Sequence, residues 1–186
     1  MTTTDPLLLP AARPSSYDRW RLRVVSDPAL ARLYAWLAPT LVTVLAGILR
    51  FWNLGQPHAL VFDETYYVKD AWSQWNLGYA SRWPDDANAD FVAGHADIFT
   101  TDPSFVVHPP LGKYLIGAGM WLFGPENAFG WRFATALFGT ALVLLLFLVA
   151  KSMTNSTAFA SVASFLLAID GLGIVMSKVA LLDIFL

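Results

Sequence analysis

The sequence predicts an all-α, multispanning membrane protein, and three observations lead to that fold class. Of the 186 residues, 56% are hydrophobic and 14% are charged, and the mean hydropathy is positive, which lies outside the range of ordinary soluble domains. Apolar runs of near-membrane length occur at 33–49, 133–150 and 157–175. A long polar and aromatic segment, 55–127, separates the first run from the second. We therefore expect about three transmembrane helices, a long outer loop with juxtamembrane helices, and the start of a fourth span.

Residues 1–32 are predicted to be a cytoplasmic tail. They are rich in proline and hold five arginines, with too few spaced apolar positions to form a core. We interpret 19–25 either as a short interfacial helix or as disordered chain. A secretory signal would place a short charged region directly before the apolar segment and a cleavage site after it, so a tail of this length argues against one. The chain has no cysteine, which excludes disulfides, thiolate zinc sites and cysteine nucleophiles.

The first transmembrane helix is predicted at 33–54. It starts with seventeen uncharged residues and reaches the length of a span if Arg50 extends its charge towards the headgroups. Trp36 and Trp52 stand near its two ends, where amphipathic rings favour the interface. Five arginines precede this helix, whereas 53–110 holds two basic residues against eight acidic ones. The positive-inside rule therefore places the N-terminus in the cytoplasm and the following loop outside.

The outer loop, 55–127, is too polar to cross the membrane and too aromatic for a simple linker. We expect residues 65–75 to form a helix lying on the membrane and residues 82–101 to form an irregular loop. Long structured loops in compact proteins are usually functional, so we place the candidate site here.

Asp63 and Glu64 are adjacent carboxylates among aromatic residues, close behind the first span. On a helix, neighbouring side chains diverge by about 100 degrees, so one acid can act while the other supports it. A carboxylate that aromatic residues hold near a lipid interface is partly desolvated and becomes a better general base. The alternative is a pair that is solvated or caps a helix.

A second motif, HPPLGK at 108–113, stands at the end of the outer loop. Its prolines keep the chain extended and pre-set a helix to begin directly afterwards. A lysine at a helix N-terminus is suited to bind a phosphate, because free backbone N–H groups and the ammonium both point at an anion. The alternative is a proline-started helix whose Lys113 reaches the interface. Residues 111–123 are short for a span and are expected to form a juxtamembrane or re-entrant helix.

The rest of the chain returns twice across the membrane. The predicted segments are a second transmembrane helix at 128–150, a cytoplasmic turn at 151–156, a third transmembrane helix at 157–176, and an outer-face motif with the start of the next span at 177–186. Asp170 in the third helix is a functional candidate, because an intramembrane acid is costly, unless it reaches the interface. Lys178 and Asp183 then lie on the same side as Asp63. The final residues continue an apolar pattern without a polar stop, which predicts the front part of a longer chain.

Three motifs in this order resemble the N-terminal third of the protein O-mannosyltransferases. They are the Asp63-Glu64 pair, HPPLGK at 108–113, and SKVALLD at 177–183. The sequence Asp-Pro-Ser at 102–104 is similar to the actinobacterial branch of that family. The similarity covers nearly all of residues 33–186.

The resemblance implies a glycosyltransferase of the GT-C type, which transfers mannose with inversion from a polyprenyl phosphate to serine or threonine hydroxyls of secreted proteins. In that family the aspartate of the pair is taken as the base, which assigns this role to Asp63 and the orienting of the acceptor or the loop to Glu64. The basic residue before the Leu-Leu-Asp motif is usually an arginine. Lys178 stands in its place here, with the same charge but without the bidentate fork that suits phosphate.

The candidate site therefore combines a base with cations for the leaving phosphate. The residues are Asp63 and Glu64 for catalysis, Lys113, Lys178 and Arg132 for the donor phosphate, and His108 and Asp183 in support. No cofactor is required by this scheme, although Asp63, Glu64 and Asp183 offer the oxygen ligands that a divalent metal such as magnesium or manganese prefers.

The expected partners are polyprenyl phosphate mannose, serine- and threonine-containing secreted proteins, membrane lipid and the protein export machinery, in the plasma membrane. A nucleic acid is not expected, because no basic patch is present. Two alternatives stay open. One is another GT-C transferase that uses a polyprenyl phosphate sugar, such as an aminoarabinose or lipoglycan transferase. The other is a small non-catalytic membrane protein or an inactive fragment. A transporter is disfavoured, because the polar groups cluster at one face instead of the bilayer midplane.

Overall fold

The computed structural model describes residues 13–105 and 107–185. These residues are mostly helical, and they contain no β-strand beyond an isolated bridge between Ser81 and Pro103. The predicted all-α membrane fold class is therefore confirmed. The first part of the predicted tail, 1–12, lies outside the described residues.

Eight α-helices follow one another in the described chain. They are α1 (Ser16–Ser26), α2 (Pro28–Phe51), α3 (Glu64–Leu77), α4 (Ala87–Val92), α5 (Pro110–Phe123), α6 (Ala128–Thr154), α7 (Thr157–Ala168) and α8 (Gly171–Ser177). After α8 the described residues form a short 3-10 helix, Asp183–Phe185, at the predicted start of the next span.

The chain divides into two compact units, Met1–Leu37 and Ala38–Leu186. In the first unit, α1 begins with a capping box: the Asp18 N–H donates to the Ser15 hydroxyl, and the Ser15 N–H donates to the Asp18 carboxylate. The segment that we interpreted as either helical or disordered is therefore a helix.

In the second unit, α6 packs against α5, α7 and α8, and α3 packs on α5. The approach of α5 to α6 depends on small residues, because a Cβ on Gly119 would collide with the carbonyl oxygen of Gly130. The core between α3, α5 and α6 includes Val68, Ile116 and Trp131, all with 0% exposure.

The outer loop is more ordered than the expected irregular segment at 82–101. It contains α4, whose Phe91 is fully buried between the rings of Trp83 and Trp131. These aromatic contacts pack α4 against the hydrophobic core of the second unit.

Two helices, α2 and α6, are long and apolar enough to cross a membrane, and the pair α7 and α8 adds a third candidate if it is one span. That pair is bent by 62°. The break has a local cause, because Asp170 accepts a hydrogen bond from the Gly173 N–H and so starts a new helix. The predicted third span is therefore a broken helix.

Arg50 does not extend towards the headgroups as we expected. It is 1% exposed, and its guanidinium donates to the carbonyls of Ala168 (3.2 Å) and Leu167 (3.3 Å) and to the Ser177 hydroxyl (3.2 Å). The break between α7 and α8 leaves these carbonyls without helical N–H partners, and Arg50 supplies the missing donors.

Candidate active site

The turn into α3 points its two acids in different directions. Phe62 has a φ of 52°, in the left-handed region that a bulky residue rarely adopts, and the residue is 75% exposed. Asp63 follows as the residue before α3 and is partly exposed. Glu64 begins the helix and is fully buried. The backbone thus presents one carboxylate outwards and takes the other inside.

Glu64 forms a buried ion pair with Arg132 of α6. The Arg132 Nε lies 2.7 Å from Oε1 and the Nη2 lies 2.8 Å from Oε2, which is the bidentate geometry that favours arginine. The same carboxylate accepts the backbone N–H groups of Val61 (3.0 Å) and Ala180 (2.8 Å). Its two oxygens therefore accept four hydrogen bonds, which fills their capacity.

Arg132 uses its remaining donors on the chain between α2 and α3. It donates to the carbonyls of Leu54 (3.2 Å), Pro57 (3.0 Å) and Ala59 (3.0 Å), and its side chain is 1% exposed. All five N–H groups of the guanidinium are thus engaged by the protein. A donor phosphate would have to displace one of these acceptors to bind Arg132.

A pocket of about 300 Å³ opens beside Asp63. Its lining residues are Asp63, Tyr66, Tyr67, Asp70, Ser104, Phe105, Val107 and Lys113. The Lys113 Nζ lies 2.8 Å from the Asp70 carboxylate, with 1% exposure of the lysine side chain and 17% of the aspartate. This second ion pair differs from the first because its acid borders the open space of the pocket.

The HPPLGK motif begins α5, with Pro110 in its first position as expected for a proline-led helix. It docks on α3 through side chains at helical spacing. The His108 Nε2 lies 2.9 Å from the Tyr67 hydroxyl, and the Gln74 amide donates to the Pro110 carbonyl at 3.0 Å.

Tyr67 is the titratable group at the centre of this region. Burial is the main cause that raises the pKa of its hydroxyl above the ordinary value, and the negative charges of Asp63, Asp183 and Asp70 add to the effect. The hydroxyl therefore stays protonated at neutral pH and remains a hydrogen-bond donor.

The structure brings together part of the predicted set. Asp63 and Lys113 line the same pocket, and His108 contacts a residue that lines it. Asp183 acts on Tyr67 through its charge. Lys178 does not line the pocket, and its Nζ donates to the Trp52 carbonyl at 2.8 Å.

No group of three or more histidine, cysteine, aspartate or glutamate side chains in the described part of the chain is arranged to hold a metal ion. The three carboxylates considered from the sequence are accordingly not gathered into one ligand set.

Sequence reasoning missed Tyr67 and Asp70. The signal that points to them is spacing, because positions 63, 67, 70 and 74 recur at intervals of four, three and four residues, which places them on one face of a helix.

Comparison with known proteins agrees with these motifs. Residues 40–186 match the family described as Dolichyl-phosphate-mannose-protein mannosyltransferase. A polyprenol-phosphate-mannose--protein mannosyltransferase of Mycolicibacterium smegmatis is 37% identical over 162 residues, which cover 84% of this chain and 28% of the relative. The protein of that name from Mycobacterium tuberculosis is 37% identical over 160 residues, 84% of this chain and 27% of the relative. Dolichyl-phosphate-mannose--protein mannosyltransferase 4 of Candida albicans is 29% identical over 168 residues, 81% of this chain and 19% of the relative.

No solved structure matches. The chain spans less than a third of the length of these curated relatives. The matched region contains the acid pair, the HPPLGK motif and the Leu-Leu-Asp motif, and because it extends over most of the sequence, the chain belongs to the dolichyl-phosphate-mannose-protein mannosyltransferase family.

Proposed function

We propose that this chain is the N-terminal part of a polyprenyl-phosphate-mannose--protein mannosyltransferase, which transfers mannose with inversion to serine or threonine hydroxyls of secreted proteins. The observation that carries the proposal is the position of Asp63, a partly exposed carboxylate in a pocket of about 300 Å³ within a chain of this family. The printed names of the relatives support the class of donor and acceptor. The volume is at the lower end of the range for small-ligand sites.

Asp63 acts as the general base in this mechanism. Its carboxylate takes the proton of the acceptor hydroxyl while the hydroxyl oxygen forms a bond to the anomeric carbon of mannose. The bond between that carbon and the phosphate oxygen breaks, and the electron pair leaves with the polyprenyl phosphate. Attack from the face opposite the leaving group inverts the anomeric centre.

Lys113 supplies a positive charge beside this reaction. Lys113 lines the same pocket, and the 2.8 Å contact with Asp70 fixes the direction of its ammonium. A preorganised cation stabilises the charge that develops on the leaving phosphate. Lys178 stays a second candidate for the donor phosphate on the resemblance alone.

Glu64 and Arg132 hold the base in position. Both oxygens of Glu64 are filled by four donors, and Arg132 ties them to the chain between α2 and α3. The pair therefore fixes the turn that presents Asp63 and takes no part in proton transfer.

We place the N-terminus in the cytoplasm and the pocket on the outer side of the plasma membrane. The five arginines of 1–32 and the excess of acidic residues in 53–110 support this orientation. The partners of the proposed enzyme are polyprenyl phosphate mannose, membrane lipid and secreted acceptor proteins, which the export machinery delivers to this side.

The test is mannose transfer from polyprenyl phosphate mannose to a threonine-rich peptide, in membranes that contain the full-length protein. We expect Asp63→Asn to lower the rate by about 10²–10⁴-fold at equal protein level, because that is the typical contribution of a general base. The matched control is Asp85→Asn, an exposed position in the outer loop, which should keep the parent rate.

Full activity of Asp63→Asn would remove this residue from the role of base. If the parent transfers a different sugar from a polyprenyl phosphate and leaves mannose unused, the GT-C alternative replaces the mannosyltransferase.

A further inference from the structure

A polar stripe on α3 joins the base to the HPPLGK motif. Asp63, Tyr67, Asp70 and Gln74 share one face, and the last three each contact that motif: the Tyr67 hydroxyl at His108 (2.9 Å), the Asp70 carboxylate at Lys113 (2.8 Å) and the Gln74 amide at the Pro110 carbonyl (3.0 Å). Asp63 continues the stripe into the pocket. The HPPLGK motif thus contacts the same face of α3 that carries Asp63 at its start.

Tyr67 is the member of the stripe that stands next to the base. It lies one helical turn after Asp63, lines the same pocket, and is close enough for the Asp63 carboxylate to interact with it. Its ring also meets the His108 ring edge-on, with centroids 5.4 Å apart. The tyrosine therefore has two potential acceptors, His108 and Asp63, for one hydroxyl proton.

Whether the His108 Nε2 carries a proton decides which acceptor takes the tyrosine proton. A neutral imidazole with a free Nε2 lone pair accepts the Tyr67 O–H, which leaves the Asp63 carboxylate unbonded by it. A protonated imidazole donates from Nε2 to the tyrosine oxygen, so the Tyr67 proton turns to Asp63. A carboxylate that already accepts this hydrogen bond is a weaker base for the acceptor hydroxyl.

We infer that Tyr67 and His108 are a positioning pair that sets the basicity of Asp63, so that the rate of mannosyl transfer rises as His108 loses its proton. The inference rests on the proposed function. In the reactive form, the acceptor hydroxyl gives its proton to Asp63, the new bond to the anomeric carbon forms, and the polyprenyl phosphate leaves with its electron pair. Tyr67 and His108 exchange no proton with the substrate and act only through the base.

Charged groups surround Tyr67 on three neighbouring parts of the structure. Asp63 and Asp70 lie on the α3 side, Asp183 on the 3-10 turn, and Lys113 on α5, where it is paired with Asp70. Variants of Tyr67 and His108 leave all four in place, so a changed pH profile reports on the pair itself.

The first experiment is kcat against pH from 5 to 9 for the full-length protein, with saturating donor and acceptor. Histidine is the side chain that ordinarily changes charge within this window. We expect kcat of the parent to rise about fourfold between pH 6 and pH 8, which is the change in the deprotonated fraction of an ordinary histidine. Tyr67→Phe and His108→Asn should gain less than about twofold, because the first lacks the hydroxyl that links the imidazole to Asp63 and the second lacks the titrating ring. The donor KM should stay within about twofold in both variants, since neither residue is assigned to the donor.

The matched controls are Tyr79→Phe and His95→Asn, which make the same substitutions away from the pocket. The Tyr79 hydroxyl donates to the Thr101 carbonyl, and His95 is an exposed residue near Asp90. Both should keep the parent profile. An unchanged ratio of kcat at pH 8 to kcat at pH 6 in both pocket variants would overturn the inference, as would an equal loss of rate at all pH values.

A second measurement separates this inference from the proposed function. The protonation of His108 is followed by NMR of labelled imidazole, with the resonance assigned by its loss in His108→Asn. Coupling predicts that Asp63→Asn and Tyr67→Phe each shift the titration of His108 in the folded protein, whether or not the enzyme transfers mannose. Identical titrations of His108 in the parent, Asp63→Asn and Tyr67→Phe would show that the pair is not coupled to Asp63. Absence of mannose transfer with a shifted titration would overturn only the proposed function.

Discussion

The two sides of the first turn of α3 carry adjacent carboxylates in opposite states. On one side Glu64 is fully buried and accepts four hydrogen bonds from Arg132, Val61 and Ala180. On the other side Asp63 is partly exposed and borders a pocket that Lys113 also lines. Neighbouring acids of one motif therefore have different roles. A carboxylate with no free lone pair cannot take a proton from a substrate, whereas a carboxylate with a free lone pair can.

The same contrast holds for the two ion pairs. Arg132 and Glu64 are 1% and 0% exposed, so loss of one partner strands a charge with no access to water. Lys113 is 1% exposed, but its partner Asp70 is 17% exposed beside the pocket. We therefore expect Arg132 and Glu64, the sealed pair, to govern stability. Lys113 and Asp70, the pocket pair, should govern substrate binding. Four predictions test this division.

The largest expected effect is on the sealed side. Arg132→Met leaves Glu64 buried and unpaired, and breaking such a pair typically costs about 3–5 kcal/mol in the free energy of unfolding. The measurement is an SDS-unfolding titration of the purified protein in mixed micelles. Arg82→Met, at an exposed arginine of the outer loop, is the control and should unfold like the parent.

A double substitution sharpens this result. Adding Glu64→Gln to Arg132→Met removes the stranded charge, so the double variant should be less destabilised than the sum of the two single variants. Strict additivity would mean that the two side chains are not coupled, against the bidentate geometry of the structure.

The second prediction concerns the helix contact that supports the sealed side. A Cβ at Gly119 would collide with the Gly130 carbonyl oxygen, so Gly119→Ala should push α5 away from α6 and cost about 1–3 kcal/mol. The same unfolding titration measures it. Gly171→Ala is the control, because nothing lies within 4 Å of a Cβ at that position. Equal stability of the two variants would show that α5 and α6 adapt without strain.

The third prediction moves to the pocket side. Lys113→Met leaves Asp70 without its ammonium, but pocket water can reach that carboxylate, so we expect a loss of only about 1–2 kcal/mol in unfolding free energy. The larger consequence should be a rise in donor KM, because a cation beside the phosphate is gone. Lys151→Met, near the end of α6, is the control. A destabilisation as large as that of Arg132→Met with an unchanged donor KM would reverse the division between the two pairs.

The sequence predicted the parts of this arrangement that depend on local pattern. The predicted transmembrane helices at 33–54 and 128–150 overlap α2 and α6, the two helices long and apolar enough to cross a membrane, because hydropathy is a property of consecutive residues. Pro110 predicted the start of α5, because proline favours the first turn of a helix. The break in the predicted third span was not predicted, because the Asp170-Gly171 step changes the average hydropathy of the segment very little.

Contacts between distant residues were not available from pattern. Arg50 inside an apolar run suggested a side chain that reaches the headgroups, but its partners are carbonyls of α7 that lie 117 and 118 residues further along the chain. The sequence suggested Arg132 as an outer cation for phosphate but did not reveal its ion pair with Glu64, 68 residues earlier. The motif indicates Asp63. Spacing places Tyr67 and Asp70 on the same face of α3, but their contacts with the HPPLGK motif come from the packing of α3 on α5.

The smallest expected effect comes from Ser104, at the rim of the same pocket. Its hydroxyl oxygen is buried and has no hydrogen-bond partner among the described residues. Ser104→Ala therefore removes no hydrogen bond that the described residues make in the free protein. The unfolding free energy should change by less than about 0.5 kcal/mol, in contrast to every sealed-side variant. If a hydroxyl of the substrate fills the vacant hydrogen bond, the same substitution should raise KM for the donor or the acceptor by several fold, since one neutral hydrogen bond contributes about 1 kcal/mol. A loss of stability comparable to that of Lys113→Met would show that the hydroxyl has a structural partner. Ser104 would then belong with the residues that govern stability.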